Sequence, residues 1–490
     1  MTRQLQFEFV EIPPGSEKPY PSSELDGLGF LWLKSKARET SGISTVIADE
    51  SRLLEEIVSG ANLASALLHV ASNQGAAGVD GQSVDEVVAK AAKLIPRLRH
   101  QLLEGLYRPS EVRRVWIPKP GGGERGLGIP TVLDRWVQQA IHQVLAPIFE
   151  PTFHDSSHGF RPLRGARTAI PEAAALVNAG HEWVVSLDLS KFFDRVNHQR
   201  LLSRLGQRVS DKRVLRLILQ MLKAKTVLPD GTKVAQEEGT PQGGPLSPLL
   251  SNIVLDELDW ELERRGLRFV RYADDLNVFV RSERAGTRVR GGLTRFVEQR
   301  LRLKVNEDKT VVERPENVHI LGFSLRKNEE KGITDILLSK RTKDRIRSKV
   351  RELTPRNWGQ SVMACLEEIN QYLEGWITYF CLVTNEERTL RHVDAHIRRR
   401  VRAIIIKQKS RKGASSLFRH LVKQGATVKA ASKLAYDSCG IWYKSFRPGV
   451  TLAYRNHWFT DKLTSIGMRW FQINAPPPTK AVSGQLTFDF

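Results

Sequence analysis

The segment from Phe269 to Val280, with the sequence Phe-Val-Arg-Tyr-Ala-Asp-Asp-Leu-Asn-Val-Phe-Val, contains two apolar, β-prone runs on either side of two adjacent carboxylates. This pattern predicts a β-hairpin with Asp274 and Asp275 at its bend. Two like charges held together are unfavourable unless a cation neutralises them, and a divalent metal ion is the natural candidate. Because Asp is also common in ordinary turns, a plain polar hairpin turn is an equal alternative for this segment alone.

A third carboxylate lies upstream, where the apolar run from Trp183 to Leu187 ends in Asp188 and leads into a short helix. If this run forms a strand beside the hairpin, the spacing of about 5 Å between neighbouring strands brings Asp188 near Asp274. Three carboxylates in that arrangement offer oxygen ligands to two Mg²⁺ ions roughly 4 Å apart. Such a pair of ions supports in-line phosphoryl transfer, because it activates a 3′-hydroxyl and stabilises the pentavalent phosphate.

Three segments resemble the motifs of reverse transcriptases in their order and spacing. They are the strand that ends in Asp188, the run Thr240-Pro-Gln-Gly-Gly-Pro-Leu-Ser-Pro248, and Tyr272-Ala-Asp-Asp275. The form Gln-Gly-x-x-x-Ser-Pro at 242–248 resembles the group II intron branch, whereas the enzymes of diversity-generating retroelements typically end this motif in Ser-Gln. The resemblance extends from about Asn73 through Phe323 and, more loosely, into the C-terminal region.

The resemblance implies an α/β (α+β) right-hand polymerase fold with fingers and palm, followed by an α-helical thumb or maturase domain. Strongly basic helices dominate from about Leu338, so we expect a domain boundary near 335. Apolar residues at helical spacing between Leu366 and Phe380 predict a bundle that is apolar inside and cationic outside. The expected divisions are an N-terminal extension at 1–48, fingers and palm at 49–335, the helical domain at 336–440, a DNA-binding segment at 441–475 and a tail at 476–490.

The resemblance also implies roles for residues around the three acids. The metal ligands would be Asp188, Leu189, Asp274 and Asp275, with Mn²⁺ as an alternative to Mg²⁺. The residues expected to bind the incoming nucleotide are Lys119, Arg125, Phe193, Gln242 and Lys309. Lys119 and Arg125 flank the glycines of a predicted hairpin within 107–130 and would hold a triphosphate, although a solvated basic hairpin has the same pattern.

Phe193, five residues after Asp188, is expected to exclude a 2′-hydroxyl from the incoming sugar. The alternative is core packing, since one of Phe192 and Phe193 must face inward. Asp194 is expected to stabilise a helix N-terminus and not to bind metal. His158 is expected to form hydrogen bonds and not to act as a catalyst, because two-metal transfer needs no histidine base.

The composition points to nucleic acid as the partner. The chain has 490 residues, 41% hydrophobic and 26% charged, with a formal net charge of +21. This positive field attracts polyanions, and no basic amphipathic anchor or lipidation signal favours a membrane. The residues predicted to contact nucleic-acid phosphates are Arg161, Arg164, Arg167, Arg398, Arg399, Arg400 and Arg402.

We therefore expect an RNA-directed DNA polymerase that uses Mg²⁺ and dNTPs to extend a DNA or RNA primer on an RNA template. The resemblance further implies a maturase that binds its own group II intron RNA and a target DNA, in the bacterial cytoplasm and near the nucleoid. A domesticated or defence-associated relative without an intron is an open alternative. A non-enzymatic RNA chaperone is another, against which the three acids argue.

The two ends of the chain share a short pattern. Gln4-Leu-Gln-Phe-Glu-Phe9 and Gln485-Leu-Thr-Phe-Asp-Phe490 both alternate polar and apolar residues, and they loosely resemble peptides that bind bacterial sliding clamps. Past residue 412 no Cys-x-x-Cys or other zinc-like constellation follows, so we expect the endonuclease domain of many intron-encoded relatives to be absent. Three widely spaced cysteines fit a reducing compartment.

Overall fold

The computed structural model describes residues 52–118, 123–355 and 357–474. Its contacts divide the chain into two compact units, Met1–Arg314 and Pro315–Phe490. The predicted N-terminal extension, the predicted tail, the two Gln-Leu-x-Phe-x-Phe ends and Lys119 lie outside the described residues. Within the described ranges, no helix is both long enough and apolar enough to cross a membrane.

The first unit combines helices with two four-stranded sheets. Its helices are α1 Leu53–Ile57, α2 Gly60–Ser72, α3 Val84–Ala89, α4 Ala91–Leu103, α5 Val132–Phe149, α6 Ala166–Asn178, α7 His198–Leu205, α8 Lys212–Leu222, α9 Ser247–Arg264 and α10 Glu283–Arg295. Its strands are β1 Val112–Pro118, β2 Glu124–Ile129, β3 Trp183–Leu187, β4 Thr226–Val227, β5 Lys233–Val234, β6 Arg268–Tyr272, β7 Asp275–Val280 and β8 Val311–Glu313. The two amphipathic segments predicted before Gly75 are α1 and α2.

The central sheet has the strand order β6-β7-β3-β8, and all of its neighbouring strands are antiparallel. Consecutive residues of β3, such as Val184 and Val185, are fully buried. Two adjacent buried residues show that β3 is covered on both faces at this point, which explains why its sequence does not alternate between polar and apolar residues. Helix α10 packs against β3 on one of those faces.

The second sheet, here called the hairpin sheet, has the order β2-β1-β4-β5. Strands β1 and β2 pair antiparallel from Arg113 opposite Ile129 to Pro118 opposite Glu124, which confirms the predicted hairpin. Helix α9 begins at Ser247 with Pro248 in its first turn, where the missing N–H of proline costs nothing because first-turn N–H groups have no helical partner.

The second unit consists of helices and one β-hairpin. Its strands are β9 Phe323–Asn328 and β10 Ile333–Leu338, and its helices are α11 Lys340–Leu353, α12 Val362–Phe380, α13 Glu387–Ser410, α14 Ala414–Lys423, α15 Val428–Ala435, α16 Ile441–Lys444, α17 Pro448–Ala453, α18 Asn456–Thr460 and α19 Ile466–Asn474. The apolar residues predicted to form one helix face, from Leu366 to Trp376, are buried in α12.

The two units divide at Arg314, earlier in the chain than the boundary expected near 335. The reason is that the β9–β10 hairpin packs with the helices that follow it. The N–H of Thr384 donates to the carbonyl of Ile336 at 2.9 Å, and the N–H of Ile336 donates to Thr384 Oγ1 at 2.9 Å. The ring of Phe323 lies 5.2 Å from the ring of Phe380. The rise in basic residues along the sequence marks where the basic helices begin. It cannot show that the preceding β9–β10 hairpin packs with those helices.

Candidate active site

The predicted hairpin is confirmed as β6 and β7, with its bend one residue earlier than expected. Ala273 and Asp274 form the bend, and Asp275 is the first residue of β7, opposite Tyr272. Ala273 has a φ of 54°, a left-handed conformation that is uncommon for residues other than glycine. Asp274 is half-buried and Asp275 is exposed. The segment Ala273–Asp275 is called the catalytic turn below.

Asp188 follows the last residue of β3, and β3 pairs with β7 as predicted. Because Leu187 lies opposite Leu276, Asp188 and Asp275 lie at the same end of the sheet. The backbone of Asp188 is held on both sides: its carbonyl accepts from the N–H of Asn306 at 2.8 Å, and its N–H donates to Thr310 Oγ1 at 3.3 Å. The sheet therefore fixes all three aspartates at one edge.

The electrostatics of this edge show that the acids act on one another. Burial raises the pKa of Asp274, and the negative charge of Asp188 raises it further, while the guanidinium of Arg125 lowers it. Arg125 is an exposed residue of β2, opposite Ile117. The hairpin sheet thus brings one of the predicted nucleotide-binding cations within electrostatic reach of the carboxylates.

Lys309 also lies at this edge. Its Nζ is 3.8 Å from Asp188 Oδ2, and its side chain is 65% exposed. A mobile ammonium beside a carboxylate offsets part of the negative charge of the site and can exchange partners when a phosphate arrives. The position agrees with the predicted contact to the nucleotide, and the contact itself remains a prediction.

The donor set at the edge suits a hard divalent cation. Reverse transcriptases use divalent metal ions, and the carboxylate oxygens of Asp188, Asp274 and Asp275 are the ligand type that Mg²⁺ prefers. Burial is the main cause of the raised pKa of Asp274, and the negative charge of Asp188 adds to it, so a cation beside these carboxylates would be favoured. Among residues 52–118, 123–355 and 357–474, however, no three Asp, Glu, His or Cys side chains are already gathered closely enough to enclose a metal ion. Leu189 has a buried side chain, so only its backbone carbonyl is chemically able to join such a set.

The two adjacent phenylalanines divide as expected. Phe192 is 2% exposed and belongs to the core, whereas Phe193 is half-buried and packs on the edge of that core. Phe193 therefore remains available for the predicted contact with the sugar. Asp194 was expected to lie outside the metal site. Its Oδ1 is 3.9 Å from Nη2 of Arg114 in β1, so it links the segment after β3 to the hairpin sheet.

Gln242 lies where its loop touches the hairpin sheet. Its backbone carbonyl accepts from the N–H of Gly128 at 3.0 Å. A Cβ at Gly243 would lie 2.6 Å from the carbonyl oxygen of Gly128, and one at Gly244 would lie 2.2 Å from Gln138 Oε1. The absence of a side chain at these two glycines therefore lets the loop pack closely against the hairpin sheet and α5. Nucleotide contact by Gln242 remains a prediction.

Only some of the arginine side chains after His158 are exposed at the surface. The prediction that Arg161 contacts template phosphates is wrong, because its side chain is 4% exposed and donates to Glu150 Oε1 at 2.8 Å and to two backbone carbonyls. Arg164 is paired with Asp155 at 2.7 Å and stays partly exposed, and Arg167 is exposed on α6. Both remain predictions. His158 is a buried hydrogen-bonding residue, as expected, with Thr168 at 2.8 Å and Glu172 at 2.9 Å.

Three of the four predicted arginines of α13 form hydrogen bonds within the protein, and contact of all four with phosphate stays a prediction. Arg399 donates to Ser445 and to the carbonyl of Trp442, with its guanidinium 3.9 Å from the Trp442 ring centre. Arg400 donates to the side chain and carbonyl of Thr354. Arg402 donates twice to the Tyr454 carbonyl, and burial lowers its pKa to about 10. These side chains join α13 to its neighbours inside the second unit.

The same contacts change the interpretation of 441–475. Tyr454 lies in the predicted DNA-binding segment, but it is 4% exposed and its hydroxyl lies 2.6 Å from His420 Nε2. Trp442 is covered by Arg399. Tyr443 and Phe446 are 41% and 48% exposed. A stacking surface in this segment therefore depends on residues other than Trp442 and Tyr454.

A sheet that ends in three aspartates, beside a glycine-turn hairpin that carries a cation toward them, defines the active site of a template-directed nucleic-acid polymerase. Two family models match the chain. The model for reverse transcriptase (RNA-dependent DNA polymerase) matches residues 117–325, and the model for the group II intron maturase-specific domain matches residues 343–425.

The chain is similar to two curated proteins and to one solved structure. Protein YkfC of Escherichia coli (strain K12) is 36% identical over 301 residues, which are 53% of this chain and 79% of that protein. The group II intron-encoded protein LtrA of Lactococcus lactis subsp. cremoris is 37% identical over 201 residues, 41% of this chain and 33% of that protein. The chain therefore spans about a third of LtrA. The solved structure of telomerase from Candida albicans aligns over 71% of this chain and 70% of the telomerase chain. The sequence identity is 12% and the TM-score is 0.37.

The chain belongs to the family of group II intron-type reverse transcriptases that carry a maturase-specific domain. The enzyme class is RNA-directed DNA polymerase, and the predicted right-hand polymerase fold with a helical C-terminal region is confirmed. The homologues also imply that intron RNA and other nucleic acids are the partners.

Proposed function

We propose that this protein copies RNA into DNA with two Mg²⁺ ions held by Asp188, Asp274, Asp275 and the carbonyl of Leu189, with Mn²⁺ as an alternative. The observation that carries the proposal is that Asp188, Asp274 and Asp275 lie at the same end of the neighbouring strands β3, β6 and β7. When bound, the ions supply activation of the primer 3′-hydroxyl and neutralisation of the charge on the transferred phosphate. Arg125 and Lys309, the cations at this edge, hold the triphosphate of the incoming dNTP.

The remaining site residues act by positioning. Phe193 lies beside the sugar and discriminates against a 2′-hydroxyl, and Gln242 contacts the nucleotide or the template through its side chain. Lys119, predicted from the sequence alone, also contacts the triphosphate. The polymerase needs geometry and charge from these groups and no covalent chemistry, because the phosphoryl transfer is a direct displacement.

We further propose that the protein assists splicing of the group II intron RNA that encodes it, and that it uses target DNA and a DNA or RNA primer during retrohoming. The match of residues 343–425 to the maturase-specific domain supports this, as does a net charge of +21. We place the protein in the cytoplasm, with binding to DNA near the nucleoid. A sliding clamp is a further proposed partner, on the strength of the repeated sequence at the two chain ends.

The Asp274→Asn variant tests the polymerase proposal. We expect primer extension to fall by at least about 1,000-fold, because a lost metal contact in phosphoryl transfer is worth several kcal/mol. Binding and splicing of a cognate intron should be retained, since the variant leaves every cation in place. Asp230→Asn is the matched control, because Asp230 is an exposed acid in the turn between β4 and β5. Normal extension by Asp274→Asn would refute the site. If no intron RNA found beside the gene is bound or spliced, the domesticated relative replaces the maturase.

A further inference from the structure

The side chain of Arg271 is buried directly behind the catalytic turn. It is 1% exposed, and it is among the largest fully buried side chains in the described part of the chain. In the sequence it stands between apolar neighbours of β6, where a charge is costly unless every polar atom is satisfied. A buried guanidinium two residues before the turn therefore needs a specific reason to be there.

Each of the five N–H groups of Arg271 has a partner. Nε donates to Asp259 Oδ1 at 2.7 Å, and Nη2 donates to Asp259 Oδ2 and to Ser157 Oγ, the latter at 2.7 Å. Nη1 donates to Asn252 Oδ1 at 3.0 Å and to the carbonyl of Ala273 at 2.9 Å. Only arginine has five donors in a rigid planar fork, so lysine cannot reproduce this set.

The bond to Ala273 is the one that reaches the active site. Ala273 has a left-handed φ of 54°, and its carbonyl precedes Asp274 directly. A residue keeps such a conformation only when its surroundings determine it. The guanidinium fixes the position of that carbonyl, and through it the direction in which the turn presents its two acids.

The segment before Phe160 supports the turn from the other side. The N–H of His158 donates to the carbonyl of Arg271 at 2.8 Å, and the N–H of Arg271 donates to the carbonyl of Ser156 at 2.9 Å. Asn252 Nδ2 donates to the carbonyl of Gly159 at 2.9 Å. Asn252 and Asp259 both belong to α9, so one helix and the loop before Phe160 hold the same turn.

We propose that Arg271 is a positioning residue, with Asp259, Asn252 and Ser157 as its support, and that this network sets the affinity of the catalytic turn for its divalent ions. The inference rests on the proposed metal-binding role of Asp274 and Asp275. Groups that orient metal ligands from behind typically change metal affinity by about 10- to 100-fold when they are altered.

The experiment measures Mn²⁺ binding by electron paramagnetic resonance in a complex with a 3′-deoxy-terminated primer, an RNA template and the next dNTP, so that no turnover occurs. Arg271→Lys keeps the charge but loses the fork, and we expect the Mn²⁺ concentration at half-saturation to rise by about 10- to 100-fold. The affinity for primer–template should stay unchanged. Asn252→Leu keeps the Arg271–Asp259 pair and provides a second, milder variant, with a smaller shift in the same direction.

Leu258→Ala is the control for general softening, because Leu258 is fully buried in α9 next to Asp259 and lies outside the network. It should lower the melting temperature at unchanged Mn²⁺ affinity. Unchanged Mn²⁺ affinity in both Arg271→Lys and Asn252→Leu would overturn the inference, and so would an equal shift in Leu258→Ala. Asp274→Asn separates this outcome from failure of the proposed function: if that variant binds Mn²⁺ and extends primers normally, the metal site itself is wrong.

Discussion

Arginines that donate to backbone carbonyls occur in both units, but Arg271 is buried whereas Arg399, Arg400 and Arg402 are half-buried. In the first unit, Arg271 lies behind the catalytic turn and donates one N–H group to the carbonyl that precedes Asp274. In the second unit, Arg399, Arg400 and Arg402 of α13 bind carbonyls and rings of neighbouring helices. The first shapes a reactive site, and the second group joins helices. The comparison shows that the role of such an arginine depends on which carbonyl it binds. The number of charged residues near it in the sequence does not determine that role.

The largest expected effect tests whether the turn in the first unit is held as tightly as its hydrogen bonds indicate. A Cβ at Gly159 would lie 2.2 Å from the backbone nitrogen of Ala273, so Gly159→Ala must displace the turn. Displacements of about 1 Å near a reacting centre cost about 100-fold in rate, and we expect at least that loss in primer extension.

Gly291→Ala is the matched control, because a Cβ at Gly291 in α10 meets open space. It should keep full activity and raise the free energy of unfolding by about 0.5–1 kcal/mol, as expected for removing glycine from a helix. Wild-type extension rates for Gly159→Ala would show that the turn is not constrained from this side.

The next effect tests the structural role of arginine in the second unit. Arg402→Met removes two hydrogen bonds to the Tyr454 carbonyl and a cation–π contact with Phe459. We expect the unfolding free energy to fall by about 2 kcal/mol, which a shift in the denaturant midpoint will measure.

The comparison variant is Arg341→Gln with Arg345→Gln, two exposed residues of α11. Surface changes of this kind stay within about 0.5 kcal/mol in stability. If both side chains contact phosphate, the slope of log affinity for intron RNA against log salt should fall by about two. A loss of RNA affinity at unchanged stability in Arg402→Met would reverse the assignment of the two surfaces.

The third effect concerns the two phenylalanines after Asp188. Phe193→Val opens space at the predicted sugar contact, so single-nucleotide incorporation should show discrimination against ribonucleotides reduced by about tenfold. Phe192→Leu should lower stability and leave sugar discrimination unchanged, because Phe192 is a core residue. Identical discrimination in Phe193→Val and the wild-type protein would assign Phe193 to packing alone.

The smallest effect concerns two acids of α9. Asp259 accepts two hydrogen bonds from Arg271, and Asp256 lies three residues before it. Burial raises the pKa of Asp256 to about 6, and the charge of Asp259 adds to the shift. Below about pH 4 Asp256 is neutral in both states; as the pH rises toward 6, the unfolded chain ionises first, so stability is lost. Above pH 6 the penalty is constant.

Asp256→Asn removes that penalty. Because Asp256 is only half-buried, solvent reduces the effect, and we expect the variant to be more stable than the wild-type protein by about 1 kcal/mol at pH 8. The gain should vanish near pH 4. Urea unfolding at both pH values measures it, and a pH-independent difference would contradict the assignment.

The acids could be predicted from the sequence because local patterns determine them. An apolar run that ends in Asp188 and a hairpin with Asp274 at its bend identify strand ends, and strands that pair bring their ends together. The hairpin over 112–129 and the start of α9 at Ser247 followed from turn glycines and proline for the same reason.

The arginines could not be predicted in this way. Arg161, Arg399, Arg400 and Arg402 stand in basic segments, and a charge run is compatible with a surface that binds RNA and with a set of internal hydrogen bonds. The partners that decide between these are remote in sequence: Tyr454 is 52 residues from Arg402. Arg271 was visible in the deciding hairpin, but its significance depends on Ser157, 114 residues earlier.

That distance along the chain has a consequence for biosynthesis. Ser157 and Gly159 leave the ribosome before α9, and Arg271 and the catalytic turn follow last. A nascent chain that stops before residue 271 holds Asp188 but has neither the turn nor the guanidinium that shapes it. Contacts between such distant segments form late in folding, because loop closure must come first. We therefore expect a chain that ends before Arg271 to be inactive, because it lacks Asp274, Asp275 and the guanidinium behind them.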